Sequence, residues 1–187
     1  SDTYGGSFLY HFGPNLISYG FVIGLDYKNP HLFPFEEMQR FKTHPDVRKH
    51  FEGGRRITYG ARALNEGGFQ SIPKLIFPGG ALIGDSAGFM NVPKIKGTHT
   101  SMKSGMVAAE AVAEALAGDA PAELTSYTEK MQASWVWEEL YKVRNVRPSF
   151  SKWGMWGGLV YAGLDTYLFR GKAPWTLHNK HHDNAML

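Results

Sequence analysis

Cysteine is absent from this chain of 187 residues. That excludes disulfides, thiolate-bound zinc and any iron–sulfur cluster held by its own side chains, and it leaves the redox compartment open. The most apolar helical stretch, residues 151–171, contains Asp165 and falls short of the roughly 20 largely apolar residues that a membrane-spanning helix needs. A dinucleotide-binding fingerprint is missing as well. The pairs Gly5-Gly6, Gly53-Gly54, Gly67-Gly68, Gly79-Gly80 and Gly157-Gly158 lack the strand, glycine loop and helix that would make a phosphate cradle. Basic residues are scattered among acidic ones at a formal net charge of +3, so nucleic acid is not expected as a partner, whereas an anionic lipid surface is compatible. Ser1-Asp2-Thr3 opens the chain without a basic n-region or apolar h-region, and no targeting peptide is expected.

What is present is a folded-protein composition. The hydrophobic fraction is 43% and aromatics reach 14%, enough for one good core or two small lobes. Residues 5–25 alternate in polarity and break at Gly13-Pro14-Asn15, which predicts an antiparallel hairpin. Pro34 and Pro45 open two short helices within residues 34–51, closed by a glycine pair. Arg55 to Leu64 reads as a strand, Phe69 to Phe77 as an extended connection, and Leu82 to Gly84 as a strand. Leu124, Tyr127, Met131, Trp135 and Leu140 recur near the helical period, predicting one long helix over 122–143 with Pro148 just past its end. The expected class is α+β or α/β.

The densest chemical signal is Leu82-Ile83-Gly84-Asp85-Ser86-Ala87-Gly88-Phe89-Met90-Asn91-Val92-Pro93, continuing through Lys94 to Gly97-Thr98-His99-Thr100. Glycine at 84 permits a tight turn and close approach to a ligand, and Asp85 places a carboxylate where sugar-like hydroxyls could be met. Gly97-Thr98 opens a helix running to about Leu116. The first amides of such a helix have no intrahelical partner and carry partial positive charge, so they can face an anion or the carbonyl edge of a reduced flavin. Its serines, glycine and alanines would let neighbours pack closely. A strand, a polar turn and a capped helix is the bland reading of the same residues.

The whole string resembles the second flavin-binding segment of geranylgeranyl-reductase-like FAD proteins. Within that group, Asn91 to Thr100 is similar to the electron transfer flavoprotein:ubiquinone oxidoreductase family. So are Thr3 to His11, Val22 to Tyr27, Tyr59 to Gly68 and Ser134 to Tyr141, in the right order. The resemblance implies FAD held by Gly84, Asp85, Gly97 and Thr98, and a ubiquinone head seated at Gly5 and Gly6. From the residues alone, Gly5-Gly6 reads as a permissive turn. It also implies electron transfer flavoprotein as the donor, ubiquinone as the acceptor, and a [4Fe–4S] cluster in the full enzyme whose cysteine ligands this chain does not supply. The chain is accordingly expected to be an internal or C-terminal fragment, inactive alone. It would lie on the mitochondrial inner membrane from the matrix side or on a bacterial inner membrane from the cytoplasmic side.

By role, residues 1–80 would carry the quinone-site sheet and helices, 81–120 the flavin segment and 121–187 a helical region. In the last, Trp153, Trp156, Leu159, Val160, Leu164, Tyr167 and Leu168 crowd a stretch flanked by Lys152, Arg170 and Lys172. It reads as an interfacial membrane helix or as a helix buried on another domain, and the resemblance favours the membrane. Lys94 and Lys96 could raise a flavin potential or be ordinary solvated lysines. His99 could face the cofactor or cap the helix. His178, His181 and His182 read as solvated rather than as a metal cluster. Two other functions fit less well: a prenyl-chain reductase of the same fold, whose usual loop pattern differs at 94–100, and a membrane-binding module that has lost flavin.

Overall fold

Alternating polarity and a Gly-Pro-Asn break build the first unit. In this computed structural model, which describes residues 3–118 and 121–179, the chain divides into two units covering residues 3–61 and 62–179 of that range. Strands β1 (Gly5–Phe12) and β2 (Leu16–Ile23) pair antiparallel in the register Gly5 to Ile23 and Phe12 to Leu16. Directly paired residues share a face. Ser7, Leu9 and His11 therefore stand with Phe21, Tyr19 and Ile17, and Gly6, Phe8, Tyr10 and Phe12 with Val22, Gly20, Ser18 and Leu16. Helices α1 (Pro34–Lys42) and α2 (Pro45–Arg48) both begin on proline, whose missing N–H costs nothing there. Phe41 of α1 stacks on Tyr19 with centroids 6.0 Å apart and lies 5.3 Å from Phe21. The helices thus serve the first face, and Phe8, Tyr10 and Phe12 on the other remain exposed.

The second unit holds the core. A two-residue ladder joins β3 (Ile76–Phe77) to β4 (Gly80–Ala81). Helix α3 (Thr98–Leu116) buries Thr100, Ser104, Val107 and Ala111, a stripe at spacings of four, three and four. Helices α4 (Thr125–Gln132) and α5 (Trp135–Lys142) each bury a pair four residues apart, Tyr127 with Met131 and Val136 with Leu140. With Leu75, Ile76, Ala87, Phe89, Val107 and Ala111 these two pairs form one hydrophobic cluster. Burying a side chain such as Phe89 contributes about 2–3 kcal/mol. The Tyr127 hydroxyl donates to the Leu82 carbonyl at 2.9 Å, and burial pushes its pKa up to about 12. Both sheets are small and antiparallel among the described residues, so the class is α+β.

Two sequence expectations change. The single helix over 122–143 is two, because Ser134 takes extended backbone (φ −84, ψ 158) and its hydroxyl turns back to the Met131 carbonyl at 2.6 Å. Pro148 does lie past the end of these helices, in the first turn of α6 (Val146–Gly163), where no amide is needed. Residues 55–64 form no strand. Ile57 and Tyr59 there are 73% and 81% exposed, and among the described residues no neighbour supplies a ladder.

The region expected as one amphipathic helix over 151–171 begins earlier and is interrupted twice. Gly154 (φ 66, ψ −168) breaks the helical path of α6, and residues Leu164–Leu168 widen into a π turn closed by Phe169 N–H on the Leu164 carbonyl at 3.0 Å. No described helix is long and apolar enough to cross a membrane. The chain after it is tied back by Arg144, which is buried. Its guanidinium donates to the carbonyls of Tyr141 (2.9 Å), Gly171 (3.0 Å), Ala173 (2.6 Å) and Trp175 (3.1 Å) and to Thr176 Oγ1 (2.9 Å). Asn145 adds a donor to Trp175 and an acceptor for Leu177 N–H. Gln70 bridges the carbonyls of Arg144 and Leu177 at 2.7 and 2.5 Å.

Candidate functional site

The loop between β4 and α3 is built by taking the chain out of its ladder. Leu82 N–H still reaches the Leu75 carbonyl at 2.7 Å, but Gly84 N–H donates to Ser104 Oγ at 2.8 Å. The expected strand over 82–84 is therefore displaced to Gly80–Ala81. Gly84–Ala87 coils into a 3-10 turn, with Gly84 at φ 60, a backbone state that favours glycine. A Cβ there would sit 3.4 Å from Ser101. Small residues on α3 let this turn approach the helix, and Asp85 sits half-buried within it.

Two hydroxyls fasten the loop to α3. Thr100 Oγ1 donates to the Phe89 carbonyl, with the Gly97 carbonyl 2.8 Å away, and Ser104 Oγ donates to the Ser101 carbonyl at 2.7 Å. Asn91 is buried and pairs with Lys96 through both backbone groups, at 2.9 and 3.2 Å, pinching residues 91–96 into a closed loop. Gly97 precedes the first turn of α3 without a side-chain cap, Thr98 is exposed, and that turn contains no acidic residue. No acidic residue of its own first turn therefore opposes the partial positive charge of its amides.

Glu139 of α5 organises the far side of the loop. Its Oε1 accepts from Asn91 Nδ2 at 2.7 Å, Lys94 Nζ at 3.1 Å and His99 Nε2 at 3.0 Å. The His99 ring also stacks on Trp135, 5.7 Å between centroids and 11° from parallel. Partial burial pushes the Glu139 carboxyl upward. The hydrogen bonds from Asn91, His99 and Lys94, with the Lys94 charge, outweigh it and hold the group below the usual carboxylate range.

The four residues expected around a flavin, Gly84, Asp85, Gly97 and Thr98, all lie in this loop and the start of α3 within the second unit. Gly5 and Gly6 lie in the first unit, and they are strand residues rather than a turn. A Cβ on Gly5 would overlap the Val22 carbonyl oxygen, whereas one on Gly6 would meet nothing within 4 Å. Lys96 is exposed, and its Nζ donates to the Ile95 carbonyl at 3.3 Å. His178 is exposed, and His181 and His182 lie outside the described residues. Among the described residues no cluster of His, Asp or Glu could hold a metal. Sequence reasoning passed over Glu139. The signal was an aromatic residue and a carboxylate at an i, i+4 spacing, facing a loop rich in donors.

Comparison with known proteins assigns the first third of the chain to a class. Residues 1–64 match the family described as "ETF-QO, ubiquinone-binding". Over nearly its whole length the chain is similar to mitochondrial electron transfer flavoprotein-ubiquinone oxidoreductases. It is 57% identical over 194 residues to the protein of Sus scrofa, covering 99% of this chain and 31% of the relative. Identity is 57% over 190 residues in Homo sapiens (97% and 31%) and 55% over 194 residues in Mus musculus (99% and 32%). The chain belongs to the electron transfer flavoprotein-ubiquinone oxidoreductase family, and spans about a third of the length of these relatives.

Proposed function

We propose that this chain forms the quinone-facing part and one wall of the flavin site of an enzyme that passes electrons from reduced electron transfer flavoprotein to ubiquinone. The observation that carries this reading is the 57% identity over 99% of the chain to relatives bearing that name. The surrounding fold is that of the geranylgeranyl-reductase-like FAD proteins. Residues 1–80 serve the quinone, 81–120 the flavin and 121–187 the helical, membrane-facing region. FAD, when bound, supplies electron transfer between the donor flavoprotein and the quinone, and a [4Fe–4S] cluster belongs to the complete enzyme but finds no ligands here.

The residues present fit an electron-rich ring edge. The α3 N-terminus has an exposed Thr98, no cap from Gly97 and no acid in its first turn, so its amides and partial positive charge are available to a flavin carbonyl. Gly84, at positive φ against Ser101, keeps the adjoining backbone free of a Cβ, and Asp85 orients cofactor hydroxyls. Gly6 stands on the same hairpin face as the exposed Phe8, Tyr10 and Phe12. A flat apolar ring could lie there against bare backbone. Exposed Trp153, Trp156, Leu159, Val160, Tyr167 and Leu168, with Lys152 and Arg170 near them, support contact with a membrane surface. That surface would be the mitochondrial inner membrane on its matrix side or a bacterial inner membrane on its cytoplasmic side. No observation favours a prenyl-chain reductase or a flavin-less module.

Gly6→Ala in the complete natural polypeptide tests the quinone assignment with little risk to the hairpin. It is expected to raise the KM for ubiquinone on the order of tenfold, equivalent to about 1.4 kcal/mol, while reduction by electron transfer flavoprotein proceeds at the wild-type rate. An unchanged KM would remove Gly6 from the quinone site. A complete, folded protein that bound no FAD would sink the flavin reading.

A further inference from the structure

We propose that Glu139 is the positioning residue of the flavin wall: from α5 it fixes the 91–97 loop and the first turn of α3, and it sets the net charge at the mouth of that helix. The proposal rests on the flavin reading above and adds a residue and an electrostatic role to it. Three donors from separate points, Asn91 Nδ2, Lys94 Nζ and His99 Nε2, converge on the single atom Oε1 within 3.1 Å. Asn91 ties the loop closed through its backbone pairing with Lys96, and its Oδ1 accepts from Lys94 N–H at 3.2 Å. His99 is next to Thr98 in the first turn, with Trp135 of α5 stacked on its other contact surface. One carboxylate and one indole, a helical turn apart on α5, therefore hold both the loop and the helix start.

The charge consequence follows from the same geometry. Lys94 forms an ion pair with Glu139 at 3.1 Å, which opposes the lysine charge beside the helix mouth. Replacing Glu139 by glutamine leaves an oxygen to accept from Asn91 but removes the negative charge, so Lys94 then acts unopposed. Positive charge near a flavin favours its reduced, anionic form. Replacing Lys94 instead leaves the carboxylate unopposed and favours the oxidised form. A purely structural Glu139 would alter FAD content or melting temperature but would not move the potential in opposite directions in the two variants.

The test is potentiometric titration of FAD, followed by absorbance, in the complete polypeptide carrying Glu139→Gln or Lys94→Gln. The expected result is an upward shift of the flavin midpoint potential in E139Q and a downward shift in K94Q, each at wild-type FAD content. Potentials unchanged in both, or shifted in the reverse sense, would overturn the proposal. Lys94 has a side chain 59% exposed, so K94Q does not put folding at stake, and an unmoved potential in K94Q overturns the proposal even if E139Q fails to accumulate. A wild-type protein without FAD would overturn the flavin reading and this role together, an outcome distinct from FAD bound at an unmoved potential.

Discussion

Burial of Asp165 at 1% exposure puts a carboxylate in the π turn with Oδ1 lacking any hydrogen-bond partner among the described residues. Desolvation raises its pKa above the usual carboxylate value of 3.8, and the Arg144 charge and a hydrogen bond from Asn145 only partly oppose that. The folded protein therefore binds this proton more tightly than the unfolded chain does. Its stabilising contribution is full below the unfolded pKa and is lost as pH rises through the folded one. Asp165→Asn should flatten that part of the melting temperature against pH and leave the protein at least as stable at neutral pH. Parallel profiles for variant and wild type would show that Asp165 does not titrate this way. In sequence the residue signalled only that no membrane-spanning helix was present. That it is buried depends on Arg144 and Asn145, about 20 residues earlier, which no local pattern announces.

At the scale of elements, what the sequence made legible was periodicity and punctuation. The hairpin around Gly13-Pro14-Asn15, the proline-led helices α1 and α2, and α3 from Thr98 to Leu116 all follow from patterns spanning adjacent residues. The misread elements have two different causes. Residues 55–64 have strand-forming side chains but no adjoining ladder, and α4 and α5 share a helical period across a break made by one serine hydroxyl. The candidate flavin loop was located from its residue types. Its anchor Glu139 was not, because convergence of Asn91, Lys94 and His99 on one oxygen is a tertiary fact. Arg144 illustrates the same point, since its fork meets four carbonyls and a hydroxyl that come mostly from 27–32 residues downstream. Arg144→Lys keeps the charge but offers at most three donors without the planar fork, and should cost about 2–4 kcal/mol in urea unfolding. A midpoint unchanged from wild type would mean that the segment over 171–177 is held by Asn145 and Gln70 alone.

For the molecule as a whole, the two units invest their apolar residues differently. The second unit gathers a buried core around Phe89, Tyr127 and Met131 while Trp153, Trp156 and Tyr167 stay exposed, whereas the first leaves much of its aromatic surface outside: Phe8, Phe12, Phe33 and Phe35 are all 40% exposed or more. That division matches the proposed roles, a rigid support for a flavin wall in one unit and an apolar surface for a lipid-soluble acceptor in the other. It also means that covering the first unit's surface is a condition of solubility. In detergent-free buffer the chain should self-associate, and adding a mild detergent should return it to monomer in analytical ultracentrifugation; a monomer in both conditions would contradict this.

The hairpin carries a further consequence through its backbone. Among the described residues β1 and β2 pair only with each other, so each eight-residue strand has an outer row of amide and carbonyl groups with no ladder partner in that sheet. A second copy, aligned strand to strand, could satisfy that row and lay its own Phe8, Tyr10 and Phe12 alongside the first, turning an acceptor surface into a template for ordered aggregation.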